Sequence, residues 1–133
     1  MIVADTNLVA YLLIEGTRTA DAKAVWEKDS QWRLPTIWRS EFLNVLTTAV
    51  RANVLTLEQA HETWHIALTI FGDREVEPEG DDVLVWAAER GLSAYDAQFV
   101  VAAADLDVPL VTSDRRLLAA CGDLAVNPEQ FLR

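Results

Sequence analysis

The sequence predicts an α/β domain: a mostly parallel central sheet with helices on both faces. Three observations predict it. Short apolar runs bounded by turn residues recur along the 133 residues. Between them lie stretches whose apolar residues repeat at helical spacing. Acidic residues stand at the junctions, just after a strand or at the start of a helix, where sheets of this kind bind ligands. No internal repeat, low-complexity stretch or linker interrupts the pattern, so residues 1–133 read as a single domain.

The elements follow in order. Ile2-Val3-Ala4 is a short buried strand, and a helix around Leu8 to Ile14 comes directly after it. Thr19 is placed to cap a second helix, through about Lys28, with Ala20, Ala24 and Val25 along one side. Trp32 to Pro35 is a second strand. Phe42, Val45, Leu46, Ala49 and Val50 recur at i, i+3, i+4, i+7 and i+8, an amphipathic helix. Thr56 and Gln59 match a capping box and open a helix to about Phe71, which Gly72 ends. Arg74 to Val76 is a third strand. Asp81 or Asp82 starts a helix that Gly91 closes. Ser93 starts the next, with Phe99, Val100, Ala103 and Ala104 facing inward. Pro109 sets up the strand Leu110-Val111-Thr112. Arg115 to Cys121 is a short helix stopped by Gly122, and Ala125-Val126 is a last strand.

Composition narrows the functions. Half of the residues are apolar (51%), enough for a core without disulfide or metal staples. The one cysteine, Cys121, allows no disulfide within the chain and is read as a small buried residue. No apolar run approaches the ~20 residues of a membrane span. The N-terminus lacks a basic flank and a signal-like stretch, since Asp5 arrives at once, so a cytoplasmic protein is expected. The net charge of −10 opposes nonspecific binding of nucleic acid over the whole surface. It leaves room for an enzyme whose acids load divalent cations, because the bound ions let phosphate approach.

Four acids fit that description. Asp5 follows the first strand, and Asp114 lies two residues after the strand ending at Thr112. Glu41 sits in the first turns of the third helix, and Asp96 in the first turn of the helix opened by Ser93. In a parallel sheet these ends share one edge. Like charges at ~4 Å repel by roughly 4 kcal/mol at an effective dielectric of ~20. Mg²⁺ or Mn²⁺, which prefer carboxylate and water oxygens, resolve the repulsion. The chemistry expected of such a cluster is phosphodiester cleavage by an activated water. Each acid also has a plainer reading. Asp5 and Asp114 are placed to cap the helices that follow them, and Asp96 matches the third position of a capping box. Glu41, at the margin of an apolar stripe beside Ile37 and Val45, is the hardest to explain as a cap.

Four ordered motifs carry a resemblance. Asp5-Thr6-Asn7, Arg39-Ser40-Glu41-Phe42, Ser93-Ala94-Tyr95-Asp96-Ala97 and Thr112-Ser113-Asp114-Arg115-Arg116-Leu117 together resemble the PIN-domain family, above all VapC-type toxins of toxin–antitoxin modules. The resemblance spans essentially the whole chain. It implies a three-layer α/β/α fold and a Mg²⁺- or Mn²⁺-dependent ribonuclease. Asp5, Glu41, Asp96 and Asp114 match the acidic quartet, taken as catalytic and metal-binding. Asp5 and Asp96 would hold an ion that activates water for in-line attack on phosphorus. Glu41 and Asp114 would hold a second ion, or orient water and the leaving group. Thr6, Asn7 and Thr112 or Ser113 match polar neighbours that orient acids or waters. The family further implies an RNA substrate, a homodimer and a VapB-type antitoxin. Arg39, Arg115 and Arg116 lie beside the acids, either to hold RNA phosphate or as ion pairs balancing the acidic edge.

Two further readings compete. A non-catalytic binding protein would keep the fold and use the acids as caps or as a docking surface for a basic partner. His61-Glu62-Thr63-Trp64-His65 matches the zinc-protease motif H-E-x-x-H on a helix. That reading needs a third ligand, for which only acids such as Asp81, Asp82 or Glu89 are downstream. The five tryptophans are read as packing residues, with Trp38, near Glu41, also a candidate for stacking on RNA.

Overall fold

The computed structural model describes residues 1–133. Its elements are β1 (Ile2–Ala4), α1 (Thr6–Leu13), α2 (Thr19–Lys28), β2 (Trp32–Pro35), α3 (Trp38–Arg51), α4 (Leu57–Phe71), β3 (Glu75–Val76), α5 (Gly80–Arg90), α6 (Ala94–Leu106), β4 (Leu110–Val111), α7 (Arg115–Cys121), β5 (Ala125–Val126) and α8 (Pro128–Leu132). The five strands form one sheet in the order β3-β2-β1-β4-β5, and every pairing is parallel. The sheet is thus wholly parallel where a mostly parallel one was expected. Helices flank it: α6 packs across β1, β2 and β4 with α5 against it, while α1 to α4 pack on one another and α4 meets β2.

The sequence explains the central strands. Ile2, Val3 and Ala4 are fully buried, as are Leu110 and Val111. Strands buried on both faces read as continuous apolar runs rather than alternating ones. Around β2 the core is aromatic: Trp32 stacks on Phe71, and Trp26 meets both edge-on. Trp38 lies fully buried between Phe42, Trp64 and Phe71, so it is a core residue and is not available to stack on RNA. Cys121 is buried. No helix is long and apolar enough to cross a membrane.

Several boundaries differ for local reasons. The Thr56–Gln59 capping box forms, with both reciprocal bonds present. Thr19 is the first residue of α2 rather than its cap. Its hydroxyl accepts from the Gly16 N–H and donates to the Ile14 carbonyl, closing the preceding loop. α5 begins at Gly80, which places Asp81 and Asp82 in its first turn, where their charge suits the helix dipole. Gly91 ends α5 in the left-handed region at φ 66°, a conformation glycine adopts without strain. α8 was not expected. Its signal is present in Asn127-Pro128-Glu129-Gln130: a capping Asn, Pro at the first turn and Gln at the third position, forming a complete capping box.

Strand order and register position the site. Chain direction reverses its drift at β1, which pairs with β2 on one side and β4 on the other. Ala4 lies opposite Val111. The residues just beyond, Asp5 and Thr112, therefore meet at the carboxyl ends of adjacent strands, at the switch point of the sheet.

Candidate active site

Each acid is held by the start of a helix. Asp5 is the N-cap of α1, and its Oδ1 accepts from the Leu8 N–H at 2.8 Å. Its Oδ2 accepts from the Thr112 hydroxyl, while its own N–H donates to the Val111 carbonyl. Thr112 Oγ1 accepts in turn from the Asp114 N–H at 3.0 Å. Asp114 caps α7, with Oδ1 accepting from Arg116 and Leu117. Asp96 stands in the first turn of α6, where its N–H donates to the capping Ser93 hydroxyl. Glu41 stands in the first turn of α3 and accepts from Thr6 Oγ1 at 2.7 Å.

The cap readings of Asp5 and Asp114 are correct, but the capping box read for Asp96 does not close: Ser93 accepts from the Asp96 N–H, and the Asp96 carboxylate returns no bond to the Ser93 N–H. Asp5 and Asp114 are caps, and Ser93 caps the helix that carries Asp96. Capping accounts for one oxygen of Asp5 and Asp114 and for neither oxygen of Glu41. All four acids, together with Thr6 and Asn7, line one open cavity of about 430 Å³. Four helix N-termini thus converge there, and their dipoles favour negative charge.

That favour is incomplete. Burial pushes the Asp5 carboxyl up to about 6, helped by the charges of Asp114 and Glu41 and opposed by the bonds from Thr112 and Leu8. Burial likewise raises Glu41, with a further rise from Asp96 and an opposing effect from Thr6. Asp96 is raised by burial and by Asp114, with Arg116 and Ser93 acting the other way. Three of the four acids are thus held above the ordinary range. Each of those three feels at least one of the others.

The donor set is all oxygen, which suits a hard divalent cation. As they stand, no three of these side chains form a ready coordination group. Both Asp5 oxygens, Glu41 Oε1 and Asp114 Oδ1 accept local bonds, while the Asp96 carboxylate accepts none.

The other expected residues separate into two groups. Thr6, Asn7 and Thr112 belong to the site, Thr112 as the hinge between Asp5 and Asp114. Ser113 and Arg115 face a neighbouring cavity next to α8. Arg116 is exposed, and its charge reaches Asp96. Arg39 is an ion pair: Nε and Nη2 both donate to Glu75 at 2.7 Å, and the Trp38 indole N–H donates to the same carboxylate at 2.8 Å. Sequence reasoning did not single out Ser40, Asn44 and Tyr95, which also line the acid cavity. The available signal was their spacing: Ser40 and Asn44 are one turn apart beside Glu41, and Tyr95 precedes Asp96.

The rival zinc motif does not assemble. His61, Glu62 and His65 lie exposed on α4, and no third His, Cys, Asp or Glu joins them in a metal-binding group. Two histidines one turn apart are then ordinary surface residues.

Comparisons with known proteins agree with this geometry. Ribonuclease VapC1 of Mycobacterium tuberculosis is 30% identical over 95 residues, 71% of this chain and 71% of that protein. The crystal structure of PAE2754 from Pyrobaculum aerophilum superposes with a TM-score of 0.77 at 26% identity, covering 98% of this chain and 92% of that one. A toxin–antitoxin complex from Klebsiella pneumoniae shares the fold, with a TM-score of 0.70 at 21% identity, covering 96% of this chain and 98% of the other. The PIN-domain family model matches residues 2–123, a span that begins at β1 and runs past all four acids. The chain belongs to the PIN-domain family.

Proposed function

We propose that this PIN-domain protein is an endoribonuclease of the VapC toxin type that uses Mg²⁺ or Mn²⁺. The observation that carries the reading is the convergence of Asp5, Glu41, Asp96 and Asp114 on one cavity with no ion-paired base among them. A divalent cation held by these acids would supply charge neutralisation and a water acidified enough to attack phosphorus.

The chain's own residues set the stage for that chemistry. Asp5 is fixed through both oxygens, so it offers one donor position that does not wander. Thr112 holds Asp5 and the Asp114 backbone together, coupling the ends of β1 and β4. Thr6 steers Glu41 toward the cavity from α1. Asp96 has the fewest restraints and is the acid best able to turn toward an ion. Arg116, exposed at the start of α7, is placed to meet phosphate.

The relatives extend the reading to partners. One similar structure is a toxin–antitoxin complex and one similar protein is a ribonuclease. A VapB-type antitoxin is proposed on that basis; a homodimeric assembly is proposed from the family resemblance, and one domain over residues 1–133 from the uninterrupted sequence pattern. A cytoplasmic location is proposed from the sequence.

The test is cleavage of RNA by purified protein with and without Mn²⁺ or Mg²⁺. The wild type should cut, chelation should stop it, and Asp5→Asn, Glu41→Gln or Asp96→Asn should each lower the rate by about a thousandfold. No cleavage under any of these conditions, with growth arrest on expression unaffected by the same substitutions, would leave the non-catalytic reading standing.

A further inference from the structure

A second cavity, of about 400 Å³, adjoins the acid cavity and is equipped with cations. The two cavities divide the same chain segments between them. Asp114 lines the first, and its neighbours Ser113 and Arg115 line the second. Asn7 lines the first, and Leu8 and Tyr11 line the second. Arg18 before α2 and Asn127 before α8 supply further polar groups.

The wall formed by α8 is built into the fold. α8 packs on α2, where the Lys28 ammonium donates to the Phe131 carbonyl and lies 4.8 Å from the Phe131 ring centroid. Asn127 closes the capping box that starts the helix. This wall lies beyond residues 2–123, the span that the PIN-domain family model matches. The cavity as a whole is therefore not contained in that span.

Its cations are uncommitted. Neither Arg18 nor Arg115 enters an ion pair. Arg18 lies 5.3 Å from the Tyr11 ring centroid, a contact that steadies the side chain and leaves its N–H groups to other acceptors. The Asn127 carbonyl oxygen is spent on the Gln130 N–H, and its amide nitrogen is free to donate. Two acids, Asp21 and Glu129, also line the cavity, but Glu129 pairs with Arg133 at 3.2 Å. Arg18 and Arg115 are thus left facing Asp21 alone, in a chain whose net charge is −10.

The fork of an arginine fits the paired oxygens of a phosphate. RNA whose scissile phosphate is met by an ion on Asp114 brings a neighbouring phosphate past Ser113 and Arg115. The acid cavity repels that neighbour, because its ion serves only the scissile group. We infer that Arg18 and Arg115 form a phosphate subsite that grips the RNA backbone beside the cut. The inference rests on the ribonuclease reading and deepens it by naming where the strand is anchored. A grip of this kind positions the strand without reading its bases.

The experiment measures steady-state cleavage, with Mn²⁺, of a short synthetic RNA carrying one cut site mapped from cleavage of total RNA. Arg18→Ala and Arg115→Ala should each raise KM by about tenfold, with a much smaller change in kcat. The increase should shrink as KCl is raised, since backbone contacts are salt-dependent. Arg115→Lys should recover part of the loss. Arg51→Ala, which removes the same charge at the far end of α3, should leave KM unchanged. The decisive arm replaces one linkage at a time, outside the cut, by a neutral methylphosphonate. At one linkage flanking the cut, the replacement should raise the wild-type KM by about tenfold and leave that of the Arg18→Ala/Arg115→Ala double variant unchanged. A wild-type KM in the double variant, or no linkage at which the two proteins differ, overturns the subsite and leaves the ribonuclease reading intact. Inorganic phosphate that raises the wild-type Tm while the substitutions leave the RNA KM unchanged would mark a site for a free anion and likewise overturn it. Failure of the wild type to cut any RNA overturns both.

Discussion

Trp38, Arg39 and Glu41 share one turn of α3 and serve two carboxylate sites of opposite character. On one side is Glu75, at the start of β3, which receives two bonds from Arg39 and one from the Trp38 indole. The bonds from Arg39 and Trp38 hold its carboxyl below the ordinary range, against a smaller effect of burial. On the other side are Glu41 and Asp5, where burial and like charges push the carboxyls up. Both sites bury acid. Only one contains its own cation. An acid supplied with an arginine is stabilising the fold, whereas acids gathered without one leave a charge to be met from outside.

The largest expected effect separates the two sites by sign. Asp5 rises from an ordinary 3.8 to about 6, which corresponds to about 3 kcal/mol of native-state cost when it is ionised. A folded chain that binds the proton more tightly than the unfolded chain loses stability as pH rises. For Asp5 the loss runs from about pH 4 to about pH 6 and is complete above that. Asp5→Asn removes the ionisation. It also leaves the Thr112 hydroxyl without its acceptor, which offsets about 1 kcal/mol. Metal-free Asp5→Asn should therefore be about 2 kcal/mol more stable than wild type at pH 7 by urea denaturation, and no more stable at pH 4. Equal stability at pH 7 would remove the claim that ionised Asp5 costs the fold stability.

Glu75→Ala should act in the opposite direction. It strips the buried Trp38 N–H of its acceptor and frees Arg39, whose side chain is 43% exposed and so recovers part of the loss in water. A loss of about 2 kcal/mol is expected. Because the Glu75 carboxyl is lowered in the folded chain, its contribution is present above the ordinary 4.5 and disappears as pH falls through the folded value. The stability difference between wild type and Glu75→Ala should thus narrow in acid. A difference that widens in acid would reverse the assignment of the two sites. The smallest effect belongs to α4: His61→Ala and His65→Ala should leave RNA cleavage unchanged, and metal analysis of the wild type should find no stoichiometric zinc. Loss of cleavage in either variant would make that exposed pair part of the site.

Much of this contrast was legible in the sequence, and the exceptions have physical causes. Asp5, Glu41, Asp96 and Asp114 could be located because each follows a strand or opens a helix, and those signals are local. The Arg39–Glu75 pair spans 36 positions, and only the parallel pairing of β2 with β3 brings it together. Arg39 therefore looked equally suited to phosphate. Trp38 looked accessible for the same reason, because proximity to Glu41 in sequence does not reveal which face of α3 turns inward. Thr112 was named only as one of two neighbours. Its role emerges from register, since Ala4 opposite Val111 places its hydroxyl on Asp5. α8 was missed although its Asn127–Gln130 capping box is a local signal, because five residues offer no hydrophobic period to support it.

The central claim is that the acids at the ends of β1 and β4 are incomplete without a cation. The most direct test is calorimetric titration of metal-free protein with Mn²⁺ at pH 7, comparing wild type with Asp5→Asn and Glu75→Ala. Wild type and Glu75→Ala should bind Mn²⁺ with similar affinity, and Asp5→Asn should bind at least tenfold more weakly. At a Mn²⁺ concentration one hundred times Kd, binding should stabilise the wild type by about 2.7 kcal/mol. Absence of Mn²⁺ binding to the wild type, or equal binding by Asp5→Asn, would contradict the account.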